Sequence, residues 1–165
     1  LEGLEGFPVV RARIDRNAFA MGVLEGTPLT PEAFRLAPRR IADGLLERIA
    51  AMHTRGVFHL DLRQRQNILL GEGLEVRILD FGAGWAPNPL ARWCFAKLLG
   101  EVDRSAALKY LARFSPEDLT REEALEVLRG LRRRKLWILS PYRGRGVEEA
   151  VRERLSEATS PPQDG

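Results

Sequence analysis

Apolar and charged residues alternate along the first part of the chain. Val10, Ala12 and Ile14 alternate with charged neighbours, and Arg16–Asn17 separates this run from a second apolar run over residues 18–24. Alternation with a period of two is typical of a strand that has one buried face. The pattern therefore predicts a β-hairpin over residues 7–26, with one face in the core.

The pattern then changes to helical spacing. Thr30 is placed to cap a short helix that has Pro31 in its first turn. Residues 38–54 carry apolar side chains on one face and charged ones on the other, and Gly56 is placed to end that helix. His53 lies at the end of the apolar stripe. We expect nearby backbone carbonyls to satisfy it, and we assign it no chemistry.

Short apolar runs with β character follow this helix. Residues 57–60 read as a strand, and a polar loop then extends through Gln66. The runs 68–70 and 76–79 flank a glycine-containing turn, which predicts a hairpin.

The second half of the sequence reads as helical. Helical spacing covers residues 89–99 and 103–114, and Thr120 and Glu123 form a capping-box pattern that opens a helix over 122–136. A linker at 140–146, a final helix at 147–158 and a disordered tail at 159–165 are expected. The fold class is therefore predicted to be α+β, mainly helical, with small β-hairpins.

Composition limits the classes of protein that remain. The 165 residues fit a single domain of ordinary size, and Cys94 is the only cysteine, which excludes an intrachain disulfide. We expect Cys94 to be a buried, inert thiol. No apolar run is long enough for a membrane span, and no signal peptide opens the chain, so the expected location is cytoplasmic.

The net charge of +3 is carried mainly by arginine. The basic run 132–135 is interpreted as a solvated helix end that complements the helix dipole, rather than as a nucleic-acid patch. Nucleic acid is therefore not the expected partner, although a weaker RNA- or ribosome-associated alternative stays open because of the arginine excess.

A polar cluster that a folding core would not require lies between residues 56 and 82. Asp61, Asn67 and Asp80 each stand at the end of a short apolar run. Carboxylate and amide oxygens suit a hard divalent cation such as Mg²⁺, which usually shares its coordination with phosphates. The cluster therefore points to phosphoryl transfer.

These residues resemble the C-terminal lobe of the protein-kinase-like superfamily, in a bacterial form similar to RIO-type and lipopolysaccharide-type kinases. His59-Leu60-Asp61 resembles the family's His-Arg-Asp, Asn67 its catalytic-loop asparagine, and Asp80-Phe81-Gly82 its Asp-Phe-Gly triplet. The resemblance covers residues 4–84. It implies a remnant of the N-terminal lobe with the hinge at 1–29 and a C-terminal lobe at 30–158.

The resemblance also implies roles for single residues. Asp61 would accept the proton of a hydroxyl on a protein or sugar-lipid substrate, and Asn67 and Asp80 would hold Mg²⁺ ions that bridge the phosphates of ATP. Arg63 would touch the transferring phosphate, or it is simply solvated. The residues implied to surround the adenine of ATP are Met21, Val23, Leu24, Leu69 and Leu79.

Three departures from the family pattern leave alternatives open. The interval from Asp61 to Asn67 is one residue longer than usual, so either a bulge restores the site or Gln66 supplies the amide. Leu60 replaces the arginine that reads a phosphorylated activation loop, so we do not expect such activation.

The third departure concerns the phosphate-gripping parts of the family. Its glycine-rich loop and strand lysine would belong before the hairpin, and the chain begins with Leu1 rather than Met. Three explanations are open: a truncated kinase, a pseudokinase that serves as a binding or scaffold module, or a lobe completed by a missing N-terminal lobe or partner chain.

Overall fold

The computed structural model describes residues 1–16, 18–135 and 145–157, which divide into two compact units, Leu1–Ala107 and Leu108–Gly165. The strands are β1 (Val10–Arg13), β2 (Phe19–Met21), β3 (Thr27–Pro28), β4 (Ile68–Leu70) and β5 (Val76–Ile78). The α-helices are α1 (Pro31–Leu36), α2 (Pro38–Thr54), α3 (Pro89–Phe114), α4 (Arg121–Lys135) and α5 (Arg145–Glu157). The described chain is an α+β fold that is mainly helical and has two small antiparallel sheets, as predicted.

The predicted N-terminal hairpin is confirmed, but its predicted burial is wrong. Strands β1 and β2 pair antiparallel, with Val10 opposite Met21 and Arg13 opposite Phe19. Every residue of both strands is exposed, including Phe19 at 55%. Alternation shows which face of a strand is apolar. It does not show whether another element of the fold packs against that face. In the described part of the chain, this hairpin has no such layer.

Helices α1 and α2 form where the sequence predicts them, and their ends have clear causes. The Thr30 side chain accepts the backbone N–H of Ala33, which caps α1. The pKa of Glu32 in the first turn is lowered, mainly because its carboxylate accepts its own backbone N–H and also a hydrogen bond from Thr30. Helix α2 buries the apolar face formed by Ile41, Ala42, Leu45, Ile49 and Met52.

Helix α2 ends in a Schellman motif centred on Gly56. Gly56 has φ +72° and its N–H donates to the carbonyl of His53, while the N–H of Val57 donates to that of Met52. These are the two bonds of that motif, which needs a residue in the left-handed region. A Cβ at residue 56 would also come within 2.8 Å of the Arg92 guanidinium. The left-handed φ of Gly56 therefore ends the helix, and the Arg92 side chain would have to shift if residue 56 carried a Cβ.

The second sheet has the order β3-β4-β5, and it confirms the predicted hairpin of β4 and β5. Strand β3 was not predicted, because Gly26 and Pro28 read as a turn; proline is nevertheless tolerated on an edge strand. Helix α2 packs on β5, where Gly44 lets Val76 approach closely. Residues 57–60 were predicted to be a strand. That prediction is wrong, since only Phe58 forms a bridge, to Trp85.

The two helical segments predicted between residues 89 and 114 form the single helix α3. Gly100 lies inside it, and a side chain there would only touch the ring of His53 at 3.6 Å. The prediction that Cys94 is buried is wrong, because Cys94 is exposed. The thiol lies on the face of α3 opposite the one that carries the buried Asp103, at helical spacing of 100° per residue.

The unit Leu108–Gly165 contains the predicted capping box. Thr120 and Glu123 exchange hydrogen bonds, with the Thr120 side chain accepting the N–H of Glu123 and the Glu123 carboxylate accepting the N–H of Thr120. Helices α4 and α5 pack against each other in this unit. Residues 140–144 of the predicted linker and the predicted tail at 159–165 lie outside the described residues, and Gly146 belongs to α5.

Candidate active site

A loop connects the end of α2 to β4 and carries three residues of the predicted site. Its first part is tied to the segment after β5 by two backbone hydrogen bonds between Phe58 and Trp85, at 2.9 and 2.8 Å. Phe58 is buried, and its ring lies against that of His53. The loop therefore leaves α2 in a fixed direction before it reaches Asp61.

The ring of His59 joins Asp61 to the end of β5. Its Nε2 lies 2.7 Å from the carbonyl oxygen of Leu79, and its Nδ1 lies 3.3 Å from the backbone N–H of Asp61. A carbonyl can only accept, so Nε2 carries the proton and Nδ1 accepts from Asp61. The fully buried His59 thus acts as a neutral spacer between these two residues.

Asn67 makes the corresponding connection on the other side. Its side-chain Nδ2 donates to the carbonyl of Asp61 at 3.1 Å, and its own carbonyl accepts the N–H of Leu79 at 2.9 Å. The second bond continues the β4–β5 ladder, in which Ile68 faces Ile78. The strand register therefore sets where Asn67 lies relative to the residue before Asp80.

Together these contacts close a ring of four hydrogen bonds. It passes from Asp61 through His59, Leu79 and Asn67 back to Asp61. Both backbone polar groups of Asp61 and both of Leu79 are satisfied within it. The ring fixes the backbone of Asp61 beside the segment that leads into Asp80, and it leaves the two carboxylates outside the ring.

The buried carboxylate of Asp103 on α3 binds the backbone of the same loop. Its Oδ2 accepts the N–H of His59 and contacts His53 Nε2, each at 2.9 Å, and its Oδ1 accepts the N–H of Leu60 at 2.7 Å. His53 is therefore satisfied by this carboxylate and not by the backbone carbonyls that we expected. Asp103 is only 1% exposed, so its three polar neighbours offset the cost of burying a charge.

Asp103 is the site residue that sequence reasoning missed. A signal was present, because Asp103 shares a helix face with Leu99, Ala106 and Ala107 at spacings of three and four. A lone carboxylate in an apolar stripe needs a buried partner. The spacing alone does not identify that partner, since the partner is the backbone of a loop more than 40 residues earlier.

The side chain of Asp61 has a partner from the lengthened part of the loop. The Gln64 amide donates to its Oδ2, and the Gln66 amide donates in turn to Gln64 at 2.8 Å. Gln66 is exposed, whereas Asn67 is buried against Asp61. The extra residue thus places two glutamines outside the hydrogen-bonded ring and leaves Asn67 within it.

Asp80 follows β5 in a left-handed conformation, with φ +56°, and its Oδ1 accepts the N–H of Gly82 at 3.1 Å. Its carboxylate is exposed. The next residue, Phe81, lies against the rings of His59 and Phe7, with centroids 4.8 and 6.2 Å away. Left-handed backbone at a residue other than glycine costs energy and is concentrated at functional sites.

The donor set fits the metal that the sequence implies. Asp61 and Asp80 would supply carboxylate oxygens, and Asn67 would supply its amide oxygen, since its Nδ2 donates to the carbonyl of Asp61. These are hard ligands of the kind that Mg²⁺ binds together with phosphate oxygens and water. Among the described residues, no group of three or more histidine, cysteine or acidic side chains is placed to hold a metal. Water or a bound molecule would have to complete the coordination.

The residues implied to surround adenine have different environments. Leu69 is buried in β4, Leu24 and Leu79 are half-buried, and Met21 and Val23 are exposed, Val23 at 91%. The segment before β3 approaches β4 closely, because a Cβ on Gly26 would lie 3.2 Å from that of Leu69. The structure therefore brings Leu69 beside the hinge-like segment and leaves Met21 and Val23 facing outward.

The loop also carries two exposed arginines, Arg63 and Arg65. Arg63 follows Asp61 by two residues, and the charge of Arg65 acts on Glu32 at the start of α1. Exposed cations can attract an anionic ligand. Their presence on the loop is compatible with a phosphate-bearing substrate.

No known protein-family model matches this sequence, and no curated protein matches it. In the described part of the chain, none of the helices combines the length and apolar character needed to cross a bilayer.

Proposed function

We propose that this protein is a kinase-like phosphotransferase that uses ATP and Mg²⁺ to phosphorylate a hydroxyl of a protein or a sugar-lipid in the cytoplasm. The proposal depends chiefly on the ring of hydrogen bonds through Asp61, His59, Leu79 and Asn67. This ring holds the backbone of Asp61 beside Leu79, the residue before Asp80, and so supports a common site for the two carboxylates.

Each residue has a role that agrees with its contacts. Gln64 occupies one carboxylate oxygen of Asp61, so the other oxygen can accept the proton of the attacking hydroxyl. Asn67 and Asp80 would hold Mg²⁺, which neutralises charge on the transferring phosphoryl group when bound. Arg63 would contact the phosphate. The protein then contributes mainly position and charge.

A second candidate is a pseudokinase that binds a partner as a scaffold. The observation that favours it is the exposure of Met21 and Val23, which leaves part of the implied adenine pocket uncovered in the described chain. A module of this kind would keep the fold of the loop without transferring phosphate.

An assay of phosphate transfer from Mg-ATP tests the proposal. We expect activity in the purified protein and a loss of at least about 100-fold in Asp61→Asn and in Asp80→Ala, because each removes a charge needed at the reacting centre. Asp15→Asn, an acid-to-amide change in the hairpin turn, is the matched control. Equal rates in all four proteins would refute the proposal.

Thermal unfolding with ATP and Mg²⁺ distinguishes the two candidates. A ligand present at 100 times its dissociation constant stabilises the folded state by about 2.7 kcal/mol. We expect Mg-ATP to raise the melting temperature of the native protein but not that of Asp80→Ala. The absence of a shift in both proteins would favour the scaffold.

A further inference from the structure

Gln64 is hydrogen-bonded to two of the predicted site residues through its own backbone. Its N–H donates to the carbonyl of Asp61 at 3.4 Å, which closes a four-residue turn over residues 61–64. Its carbonyl accepts the N–H of Asn67 at 3.0 Å. The turn brings the chain back towards Asp61, so that the side chain of Gln64 reaches the carboxylate of that residue.

The side-chain amide of Gln64 has only one orientation that agrees with its contacts. An ionised carboxylate accepts hydrogen bonds and cannot donate them, so the NH2 group of Gln64 faces Oδ2 of Asp61. The amide oxygen of Gln64 then accepts from Nε2 of Gln66 at 2.8 Å. The two glutamines therefore form a chain of hydrogen bonds that ends on one oxygen of Asp61.

This chain acts on a torsion that the ring of four hydrogen bonds does not fix. The ring holds the backbone of Asp61, through bonds to its N–H and to its carbonyl. The terminal torsion of an aspartate is broad, so a fixed backbone does not decide which carboxylate oxygen faces a substrate. A hydrogen bond to an ionised oxygen is stronger than one between neutral groups, and it can offset the entropy lost when the exposed Gln64 is held in place.

We propose that Gln64 is a positioning residue, which holds Oδ2 of Asp61 and thereby presents Oδ1 to the attacking hydroxyl. The inference rests on the proposed function, because it assigns a role within that reaction. The hydroxyl proton passes to Oδ1 of Asp61 while the hydroxyl oxygen bonds to the γ-phosphorus of ATP and ADP leaves. Gln64 takes no proton and acts only through the orientation of Asp61.

Gln64→Met tests this role, because methionine has a similar length but no amide to donate. We expect kcat to fall at least about ten-fold, since a misoriented base stabilises the transition state less. KM for ATP should stay within about two-fold of the native value, because the contact orients a base and does not bind the nucleotide. An unchanged kcat, or a loss that appears in KM alone, would overturn the inference.

Gln66→Met is the matched control, since it makes the same substitution two residues later in the same loop. The described hydrogen bond of the Gln66 side chain goes to Gln64 and not to Asp61. Its kcat should therefore fall much less than that of Gln64→Met, and the melting temperatures should show that both variants remain folded. An equal loss of kcat in the two variants would assign the effect to the loop as a whole and would refute a specific role of Gln64.

A double-mutant cycle with Asp61→Asn tests whether Gln64 acts through Asp61. Once residue 61 no longer serves as the base, removal of the Gln64 amide should cost little more. We therefore expect the losses in kcat of Gln64→Met and Asp61→Asn to be far from additive. Additive losses would show that Gln64 acts independently of Asp61, against the inference.

The hydrogen bond can also be observed without any turnover. In NMR spectra, the side-chain amide protons of Gln64 should change their chemical shifts between the native protein and Asp61→Ala, because the acceptor is removed. Identical shifts would contradict the contact on which the inference depends.

Failure of the proposed function has a different signature. In that case the native protein and Asp61→Asn would transfer phosphate at equal rates. An active native protein, an impaired Asp61→Asn and a fully active Gln64→Met would instead refute the role of Gln64 alone.

Discussion

The carboxylate of Asp103 accepts the backbone N–H of Leu60 at 2.7 Å, and Leu60 has φ +67°. A leucine in the left-handed region costs roughly 1 kcal/mol or more, so this conformation needs support from outside the loop. Asp103 on α3 supplies that support. Asp61 is the next residue in the chain after Leu60. The position of the proposed base is therefore set by a helix that begins after Asp80, and not only by its own loop.

We expect Asp103→Asn to destabilise the protein by about 2–3 kcal/mol, because an amide nitrogen would face a backbone N–H where an acceptor is needed. Urea unfolding measures the change. If phosphotransfer is confirmed, the rate should fall as well, although Asp103 does not contact the substrate. Asp15→Asn is the control, since Asp15 is exposed. A stability equal to that of the native protein would show that the three contacts of Asp103 do not hold the loop.

The strain at Leu60 can be measured with a matched pair of substitutions. Leu60→Ala and Leu60→Gly both remove the side chain, but only glycine adopts positive φ without a steric cost. We expect the glycine variant to be more stable than the alanine variant by about 1 kcal/mol. Chemical denaturation of both variants gives the difference. The reverse order would show that the loop does not keep its left-handed residue in solution.

Replacing either of two glycines by alanine should change the stability of the protein, but in opposite directions. Gly56→Ala should cost about 1–2 kcal/mol, because residue 56 has φ +72° and a Cβ there would meet Arg92. Gly130 lies in α4, and a Cβ added there would meet no described atom within 4 Å, so Gly130→Ala should stabilise by up to about 1 kcal/mol. Melting temperatures of the two variants should therefore move in opposite directions. A similar change in both would contradict the assignment of Gly56 to the helix end.

The parts of the fold that follow from local sequence were predicted correctly. Helix α2 has a continuous apolar stripe and a glycine beyond its end, and the capping box at Thr120 and Glu123 is a contact over three residues. Such features depend only on neighbours in the chain. They could be read from sequence because no distant residue decides them.

The parts that depend on distant residues were not predicted. Burial of the N-terminal hairpin and of Cys94 depends on which other elements cover them, and alternation or composition does not state this. In the same way, the three acceptor contacts of Asp103 depend on a loop brought close by the fold. The spacing of Asp61, Asn67 and Asp80 suggested a common site, but the hydrogen bonds through His59 and Leu79 could only be seen in three dimensions.

The lengthened loop carries two side-chain amides that could serve beside Asp61, those of Asn67 and Gln66. Substituting each in turn should show which of them has that role. Asn67→Ala removes the donor to the Asp61 carbonyl from a buried position, so we expect a loss of about 1–3 kcal/mol in stability. Gln66→Ala removes an exposed amide whose described hydrogen bond goes to Gln64, and should change stability by less than about 0.5 kcal/mol. If Mg-ATP binds, the stabilisation by nucleotide should disappear in Asn67→Ala and persist in Gln66→Ala. The opposite result would transfer the metal-binding role to Gln66 and would mean that the extra residue changes which amide faces the carboxylates.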